Sequence, residues 1–244
     1  MSHSPSTAVW SLTGTVACQR PAAMPIELDL ARPAQGIDTQ CGDHHDHLLG
    51  LGLGTGDVPL WPTDHWLRGD DLAAVYEPAD ARHLRATVMW RMRAGEPGVT
   101  GWEVVVSAQT SLLTADAAIA VVSTVEADDL LWSDGRRAHH DWQPIGPDGA
   151  VPAGATCILA RRGAGAADAT SLVVAVHPAD HRHIIIARAG RRVRIECWLF
   201  SSAIEKGVLL RSRVLAAIGP APTDAAWAGR IAAGFAASPP PLTT

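Results

Sequence analysis

Apolar and polar residues alternate with a period of two along most of this chain, and this pattern constrains the fold more than any other feature. In the run 192–200, apolar side chains stand at every second position: Val193, Ile195, Cys197 and Leu199. Successive side chains of a strand point to opposite faces of a sheet, so the run predicts a strand with one buried face. Similar runs recur up to residue 218, separated by segments rich in Gly, Pro and Asp.

The connections between the strand-like runs of the second half are short. Five such segments follow residue 154, namely Thr156–Arg161, Ser171–His177, His183–Arg188, Arg192–Phe200 and Gly207–Ile218. Parallel neighbours need crossovers of about a dozen residues or more, so short turns favour an antiparallel meander. We therefore expect an all-β fold, a twisted antiparallel β-sandwich with one C-terminal α-helix, that forms a single domain over residues 1–244.

One segment, near residues 223–237, has the pattern of a helix. Thr223 or Asp224 can cap its N-terminus. Trp227, Ile231 and Phe235 recur at intervals of four, which places them on one helical stripe. Consecutive prolines that begin at residue 239 end the pattern. We expect the stripe to pack on a sheet, with the docking of a partner protein as the alternative.

Composition excludes several classes of protein. The 244 residues are 47% hydrophobic and 18% charged, which is too apolar for a disordered chain. The net charge of −5 predicts no general attraction to nucleic acid or to anionic lipid, so neither a nucleic acid nor a membrane is an expected partner. No apolar run approaches the roughly 20 residues of a membrane-spanning helix. The four cysteines include no Cys-x-x-Cys pair, so we expect free thiols and a cytoplasmic location.

Eleven histidines are many for this length, and most of them fall in three clusters that also contain aspartate. The clusters are Asp43–His47, His139–Asp141 and the group of His177, Asp180, His181 and His183. Imidazole and carboxylate groups are ligands for divalent zinc, iron, manganese or copper. A strand would place His181 and His183 on one face, with His177 across a turn, so these three are the candidate metal ligands. Consecutive residues converge less readily, which makes residues 43–47 the weaker candidate.

A second candidate site is the polar face of the predicted sheet. Four residues of one strand share that face: Arg192, Arg194, Glu196 and Trp198. Residues with the same character on other strand-like segments are Arg91, Glu103, Gln109, Arg211 and Arg213. Antiparallel neighbours lie ~5 Å apart, so we expect the arginines of 192–198 and 211–213 to form one continuous patch. Four arginines against one glutamate need an anion to offset their repulsion, and we predict a uronic-acid sugar or another small anionic ligand.

The residues leave three functions open. In the first, the polar face binds or modifies a carbohydrate. In the second, the charged face pairs with a partner protein, and the protein is a structural or protein-interaction module without catalysis; cross-strand Arg–Glu pairs on an ordinary solvated face are the simplest alternative for these residues. In the third, one histidine cluster serves a metal-dependent enzyme; otherwise the histidines are solvated turn residues and the chain needs no cofactor. No nucleophile motif is present, so enzymatic activity stays open, as does the oligomeric state.

Three segments also carry a resemblance to known proteins. They are Trp66–Leu72, Glu205–Val208 and the terminal Pro240–Thr244. Together with the strand layout, they resemble an uncharacterised family of single-domain β-sandwiches to which no activity is assigned. The sheet pattern is similar to that of galactose-mutarotase-type sandwiches, which bind carbohydrate on a concave polar face, although no catalytic His and Glu can be matched here. That similarity implies a carbohydrate ligand on the polar face.

Overall fold

The computed structural model consists mostly of antiparallel strands, which confirms the predicted all-β sandwich with its single C-terminal helix. It describes residues 10–19, 24–41, 44–53, 58–93, 96–135, 141–146, 148–163, 169–179, 181–200 and 202–239. The strands are β1 (Trp10–Thr13), β2 (Val16–Gln19), β3 (Ile26–Asp29), β4 (Ile37–Cys41), β5 (His44–Gly52), β6 (Asp64–Arg68), β7 (Asp71–Tyr76), β8 (Leu84–Arg93), β9 (Thr100–Thr110), β10 (Thr114–Asp116), β11 (Ile119–Glu126), β12 (Asp129–Ser133), β13 (Gln143–Pro144), β14 (Cys157–Arg162), β15 (Thr170–Val176), β16 (His181–Ala189), β17 (Arg192–Leu199), β18 (Ala203–Glu205) and β19 (Leu210–Pro220).

Two large sheets face each other across the main core. The eight-stranded sheet has the order β1-β2-β3-β4-β5-β11-β17-β16, and the nine-stranded sheet has the order β13-β12-β14-β15-β19-β9-β8-β7-β6. Apolar side chains from both sheets fill the space between them. Two side chains within this core donate hydrogen bonds to backbone carbonyls on the opposite side of the core. The Trp90 indole N–H donates to the Leu49 carbonyl at 2.9 Å, and the Tyr76 hydroxyl donates to the Leu30 carbonyl at 2.9 Å. The two sheets are therefore joined by hydrogen bonds as well as by apolar packing.

The predicted meander of the second half is wrong. β16 and β17 form a hairpin in the eight-stranded sheet, whereas β14, β15 and β19 belong to the nine-stranded sheet. The chain therefore changes sheets after β15 and returns after β17. Alternation shows which residues of a strand are buried, but both sheets bury their inner faces in the same core. The pattern thus carries no information about which sheet a strand joins.

The helix α1 (Asp224–Ala237) follows a short 3-10 turn at Ala221–Thr223 and packs on the outer face of the nine-stranded sheet. Trp227 and Phe235 are buried there, and Ile231 packs at the margin, so the predicted stripe is confirmed as a packing surface. This second apolar layer covers parts of β14, β15 and β19. One face of the nine-stranded sheet is thereby removed from solvent along these strands.

Asp224, the first residue of α1, fastens the helix to the sheet. Its carboxylate is 5% exposed and accepts hydrogen bonds from the Arg161 guanidinium at 2.7 and 2.8 Å and from the Ser171 hydroxyl at 2.7 Å. Burial alone would raise the pKa of Asp224, but the bonds from Arg161 and Ser171 outweigh it and hold the pKa below its ordinary value. The carboxylate also sits at the helix N-terminus, where the backbone dipole favours negative charge.

We expect Asp224→Asn to lower the free energy of unfolding by about 1.5–3 kcal/mol, the range for hydrogen bonds to a charged group. Because the folded-state pKa is depressed, this contribution is complete above the ordinary aspartate pKa of 3.8 and is lost as the pH falls through the lower folded value. Denaturant unfolding measured at neutral and at acid pH should therefore show a difference between wild type and variant that shrinks in acid.

The matched control is Glu96→Gln, which removes the carboxylate that pairs with Arg230 of α1 at the protein surface. It should leave the free energy of unfolding almost unchanged, since exposed ion pairs are screened by water. Equal effects of the two substitutions would show that Asp224 does not anchor the helix.

An ion pair lies inside the sandwich and joins its two sheets. Asp46 of β5 and Arg162 of β14 form a hydrogen-bonded pair, with side chains that are 0% and 1% exposed. The Arg162 Nε also donates to the Thr170 hydroxyl at 2.7 Å. Removing one charge from such a pair leaves the other buried without compensation. The pair therefore fixes β5 against the nine-stranded sheet.

We expect Asp46→Asn and Arg162→Met each to destabilise the fold by about 3–5 kcal/mol, because each leaves one partner buried and unpaired. The double variant should be destabilised by clearly less than the sum of the two, since it leaves no unpaired charge. Denaturant unfolding of the four proteins of this cycle measures the coupling. Strict additivity would mean that the two side chains do not act as a pair.

β5 contains a bulge that resolves a conflict in its sequence. Strict alternation from His45 and His47 would carry Leu49 and Leu51 to the same outer face. Instead, Leu48 and Leu49 together oppose the single residue Ser123, and Leu49 adopts a positive φ of 57°. The Leu49 amide donates to the Ser123 hydroxyl at 3.1 Å. The bulge shifts the phase by one residue, so the histidines face outward and the leucines are buried.

The described residues contain no helix with the length and apolar character needed to cross a bilayer. All four cysteines are free thiols, as predicted. Burial raises the pKa of Cys157 to about 12 and raises that of Cys197 as well, so both thiols stay protonated and unreactive at neutral pH.

Candidate binding face of the eight-stranded sheet

The register of four neighbouring strands sets out rows of side chains on the outer side of the eight-stranded sheet. The central strands are β5, β11, β17 and β16. Three rows cross them: His47, Thr124, Arg194 and Ala187; Gly50, Val122, Glu196 and Ile185; and Gly52, Ala120, Trp198 and His183. We call these three rows the outer polar face. Four of the predicted site residues lie on or beside it: Arg192, Arg194, Glu196 and Trp198.

Glu196 organises the polar groups of this face. Its carboxylate accepts a hydrogen bond from the Arg194 Nε at 2.7 Å and another from the Trp198 indole N–H at 3.1 Å. The indole also stacks on the His183 ring, with the ring centroids 5.9 Å apart and the planes 21° from parallel. Three side chains of one strand are therefore held in fixed relative positions, and the ring of Trp198 cannot turn freely.

Small residues lie beside Trp198 in the same row. Ala120 pairs directly with Trp198, and Gly52 follows on the next strand. A side chain at Gly52 would crowd Ala120 and Val122, at 3.2 and 3.3 Å from its Cβ. The residues next to the indole are therefore small; Gly52 is partly exposed, whereas Ala120 is 3% exposed. A Cβ on the neighbouring Gly50 would lie 2.2 Å from the Ala34 carbonyl oxygen, so the loop before β4 borders the face on this side.

The charge of the outer polar face differs from the sequence prediction. Arg192 is exposed and has no side-chain partner within the described part of the chain, while Arg194 pairs with Glu196. The neighbouring Glu126, whose strand position is opposite Arg192, is bound to His44 at 3.0 Å. The outer polar face therefore carries two arginines, Arg192 and Arg194, with the carboxylates of Glu196 and Glu126 nearby. The sequence predicted four arginines and one glutamate on a single face. Arg192 and the Nη groups of Arg194 remain able to bind a carboxylate.

The expected continuous patch does not form, because Arg211 and Arg213 belong to the nine-stranded sheet. β17 lies between β11 and β16, whereas β19 lies between β15 and β9. The residues that connect β17 to β19 include the short strand β18, which pairs with β10 outside both large sheets. Adjacency along the chain was therefore a poor guide to adjacency in a sheet.

Glu103 and Arg213 form part of the support for the helix rather than an open face. Glu103 is 1% exposed, accepts a hydrogen bond from Arg93 at 3.1 Å and lies 3.5 Å from the Arg213 guanidinium. Arg213 donates to the Ser238 hydroxyl and carbonyl at 3.1 and 2.9 Å, and it lies over the Phe235 ring at 5.1 Å. These contacts hold the C-terminal end of α1.

The remaining predicted site residues lie farther along the nine-stranded sheet. Arg91 pairs with Asp71 at 3.1 Å on the neighbouring strand, and Arg211 donates to the Ser107 hydroxyl at 3.0 Å. Gln109 is exposed near the end of β9. These are the cross-strand pairs of an ordinary outer face, so the structure separates this group from Arg194 and Trp198.

The candidate metal ligands His177, His181 and His183 are not brought together. His177 is buried at the end of β15, with its ring 5.7 Å from that of Phe235. A bulge at residue 182 pairs His181 with the inward-facing Leu199 and His183 with the outward-facing Trp198, so the expected common face is wrong. Several cluster residues lie outside the described part of the chain: Asp180 of this cluster, His139 and His140 of the second, and Asp43 of the first.

The cluster judged weaker from sequence has the better geometry. Residues 44–52 form a strand rather than an irregular loop, so His45 and His47 share its outer side. Asp38, which sequence analysis missed, is directly opposite His47 on β4. A Gly-Asp dipeptide at 42–43 between two polar runs is a hairpin signal that could have predicted this pairing. Partial burial lowers the pKa of His47, so its imidazole is neutral at neutral pH.

Comparison with known proteins adds little to this description. No protein-family model matches the chain, and no curated protein matches it. Among solved structures, the one described as "Crystal Structure Analysis of HI1317" aligns with 85% of this chain and 97% of that chain, at 7% sequence identity and a TM-score of 0.41. A likeness at that level carries no argument about function, which must rest on the geometry of this chain.

Proposed function

We propose that this protein binds a carbohydrate on the outer polar face, with an anionic sugar such as a uronic acid as the first ligand to test. The observation that supports this most directly is the position of the Trp198 ring, which Glu196 and His183 hold beside the small residues Gly52 and Ala120. The C–H faces of a sugar ring pack on an aromatic plane, and such packing needs open space next to the plane.

Polar groups that can accept hydrogen bonds from sugar hydroxyls, or donate hydrogen bonds to them, lie next to that ring. Glu196 supplies acceptor oxygens, and Arg194 supplies a fork of donors whose position the carboxylate fixes. Prior orientation of these groups lowers the entropic cost of binding, because the side chains need not be ordered by the ligand. His183, whose ring stacks on the Trp198 indole, offers a ring nitrogen as a further hydrogen-bonding group.

The arginines support the choice of an acidic sugar. Arg192 has no side-chain partner among the described residues, and the only partner of the Arg194 guanidinium there is Glu196. A carboxylate can accept two parallel hydrogen bonds from a guanidinium, and such charge-assisted bonds are about twice as strong as neutral ones. A uronic acid would bring this group together with a sugar ring that can stack.

A cytoplasmic location belongs to the same proposal. The four free cysteines suit a reducing compartment, since thiols of secreted proteins are commonly oxidised to disulfides.

We expect glucuronate or galacturonate, at millimolar concentration, to raise the melting temperature of the protein more than glucose or galactose does. Trp198→Ala and Arg194→Ala should each weaken binding by about 1.5–3 kcal/mol, or roughly tenfold to hundredfold. Isothermal titration calorimetry of the same sugars measures this loss directly.

Arg230→Ala is the matched control, because it removes an exposed, ion-paired arginine from α1 on the other sheet. It should bind sugar like the wild type. If none of the four sugars shifts the melting temperature, or if Trp198→Ala binds them unchanged, the proposal is wrong. If neutral sugars bind as tightly as the uronates and Arg194→Ala has no effect, the ligand is a carbohydrate but not an anionic one.

A further inference from the structure

Asp38, His45 and His47 meet on the outer side of the hairpin formed by β4 and β5. Each offers one ligand atom, and these atoms all lie within 4.8 Å of one another. Within the described part of the chain, no second group of three His, Cys, Asp or Glu side chains is placed in this way. Two neighbouring antiparallel strands supply all three groups, so the backbone holds them at a fixed separation.

The contacts within the cluster leave donor capacity unused. His45 Nε2 lies 2.7 Å from the Asp38 Oδ1, and the rings of His45 and His47 meet edge to face with centroids 5.0 Å apart. The Nδ1 of His47 is buried and has no hydrogen-bond partner among the described residues. A buried nitrogen without a partner costs free energy in the folded state, and a bound ligand at the cluster can remove that cost.

We infer that Asp38, His45 and His47 form a mononuclear site for a divalent transition metal, with Zn²⁺ as the best fit. Two imidazoles and one carboxylate are the donor set of zinc sites that keep an open coordination position. Ligand atoms about 2.0–2.2 Å from a tetrahedral metal lie roughly 3.3–3.5 Å apart. For a metal to bind, the His45–Asp38 contact of 2.7 Å therefore has to open and the other separations, which are at most 4.8 Å, have to approach this value through side-chain rotation.

The surroundings favour a cation with an accessible coordination position. Asp38 and His45 line a cleft of about 420 Å³ together with Cys18, Glu27 and Gln40. Glu27 pairs with Asp38 across β3 and β4, so a second carboxylate stands next to the cluster. The Arg192 guanidinium on β17 contributes a positive charge near His47, and this charge opposes the binding of a cation. Three protein ligands and an open cleft leave at least one position for water or a small ligand.

This site adjoins the proposed carbohydrate site and shares one residue with it. Asp38 and His45 lie beyond the edge of the outer polar face, and His47 is the only residue that belongs to both. Trp198 lies two rows from His47. The two proposals can therefore fail independently, and Trp198→Ala should bind metal like the wild type.

The test uses the full-length, tag-free protein after treatment with a chelator. Titration with Co²⁺ and Zn²⁺ is followed by calorimetry, and bound Co²⁺ is followed by its visible absorption, which is intense for a tetrahedral site. We expect one equivalent of metal to bind. His45→Ala and Asp38→Asn should each weaken binding by more than about 100-fold, since even partners outside the ligand shell change metal affinity by 10- to 100-fold.

Two double variants serve as controls for the other histidine clusters. His181→Ala with His183→Ala, and His139→Ala with His140→Ala, should both leave binding unchanged. The His45 side chain is 58% exposed, so His45→Ala should keep the metal-free melting temperature of the wild type. The inference is overturned if no Co²⁺ or Zn²⁺ binds, if His45→Ala binds either metal normally, or if only the His139/His140 variant loses it.

Discussion

The buried ion pair between Asp46 and Arg162 is the interaction on which the arrangement of both proposed sites depends. It crosses the core from β5 to β14, so it fixes both the position of β5 and the side of that strand that points inward. His45 and His47 flank Asp46, and they must therefore face outward. Separating this buried charge from its partner would carry a large penalty, so the pair orients the neighbouring residues of the proposed metal site on the opposite side of the same strand.

Two bulges decide where the polar side chains of the eight-stranded sheet stand. The one at Leu48 and Leu49 lets a run of outward histidines continue into a run of buried leucines, and it is held by hydrogen bonds from the Leu49 amide to Ser123 and from Trp90 to the Leu49 carbonyl. The one at residue 182 separates His181 from His183. In each case one extra residue changes the face of every side chain that follows, so a local irregularity determines which functional groups can meet.

The C-terminal helix makes the two sheets unequal. It covers part of the nine-stranded sheet, where Glu103 and Arg213 become buried supports for its last turn. It does not pack on the eight-stranded sheet, whose Arg192 stays exposed. Arginines with similar sequence patterns therefore have different roles. Arg213 holds a helix, whereas Arg192 and Arg194 lie on the face that we propose binds a sugar.

The local structure could be predicted from the residues: the period of two indicates strands, the stripe of Trp227 and Phe235 indicates the helix, and the inward set from Val193 to Leu199 is buried as expected. These features depend on neighbours along the chain and on burial alone. The positions of Arg194 and Arg211 in different sheets, and the meeting of Asp38 with His45 and His47, became known only from the three-dimensional fold. Such pairings depend on strand order and on the phase of each strand, and an alternating pattern is the same for either sheet and carries no mark of a bulge.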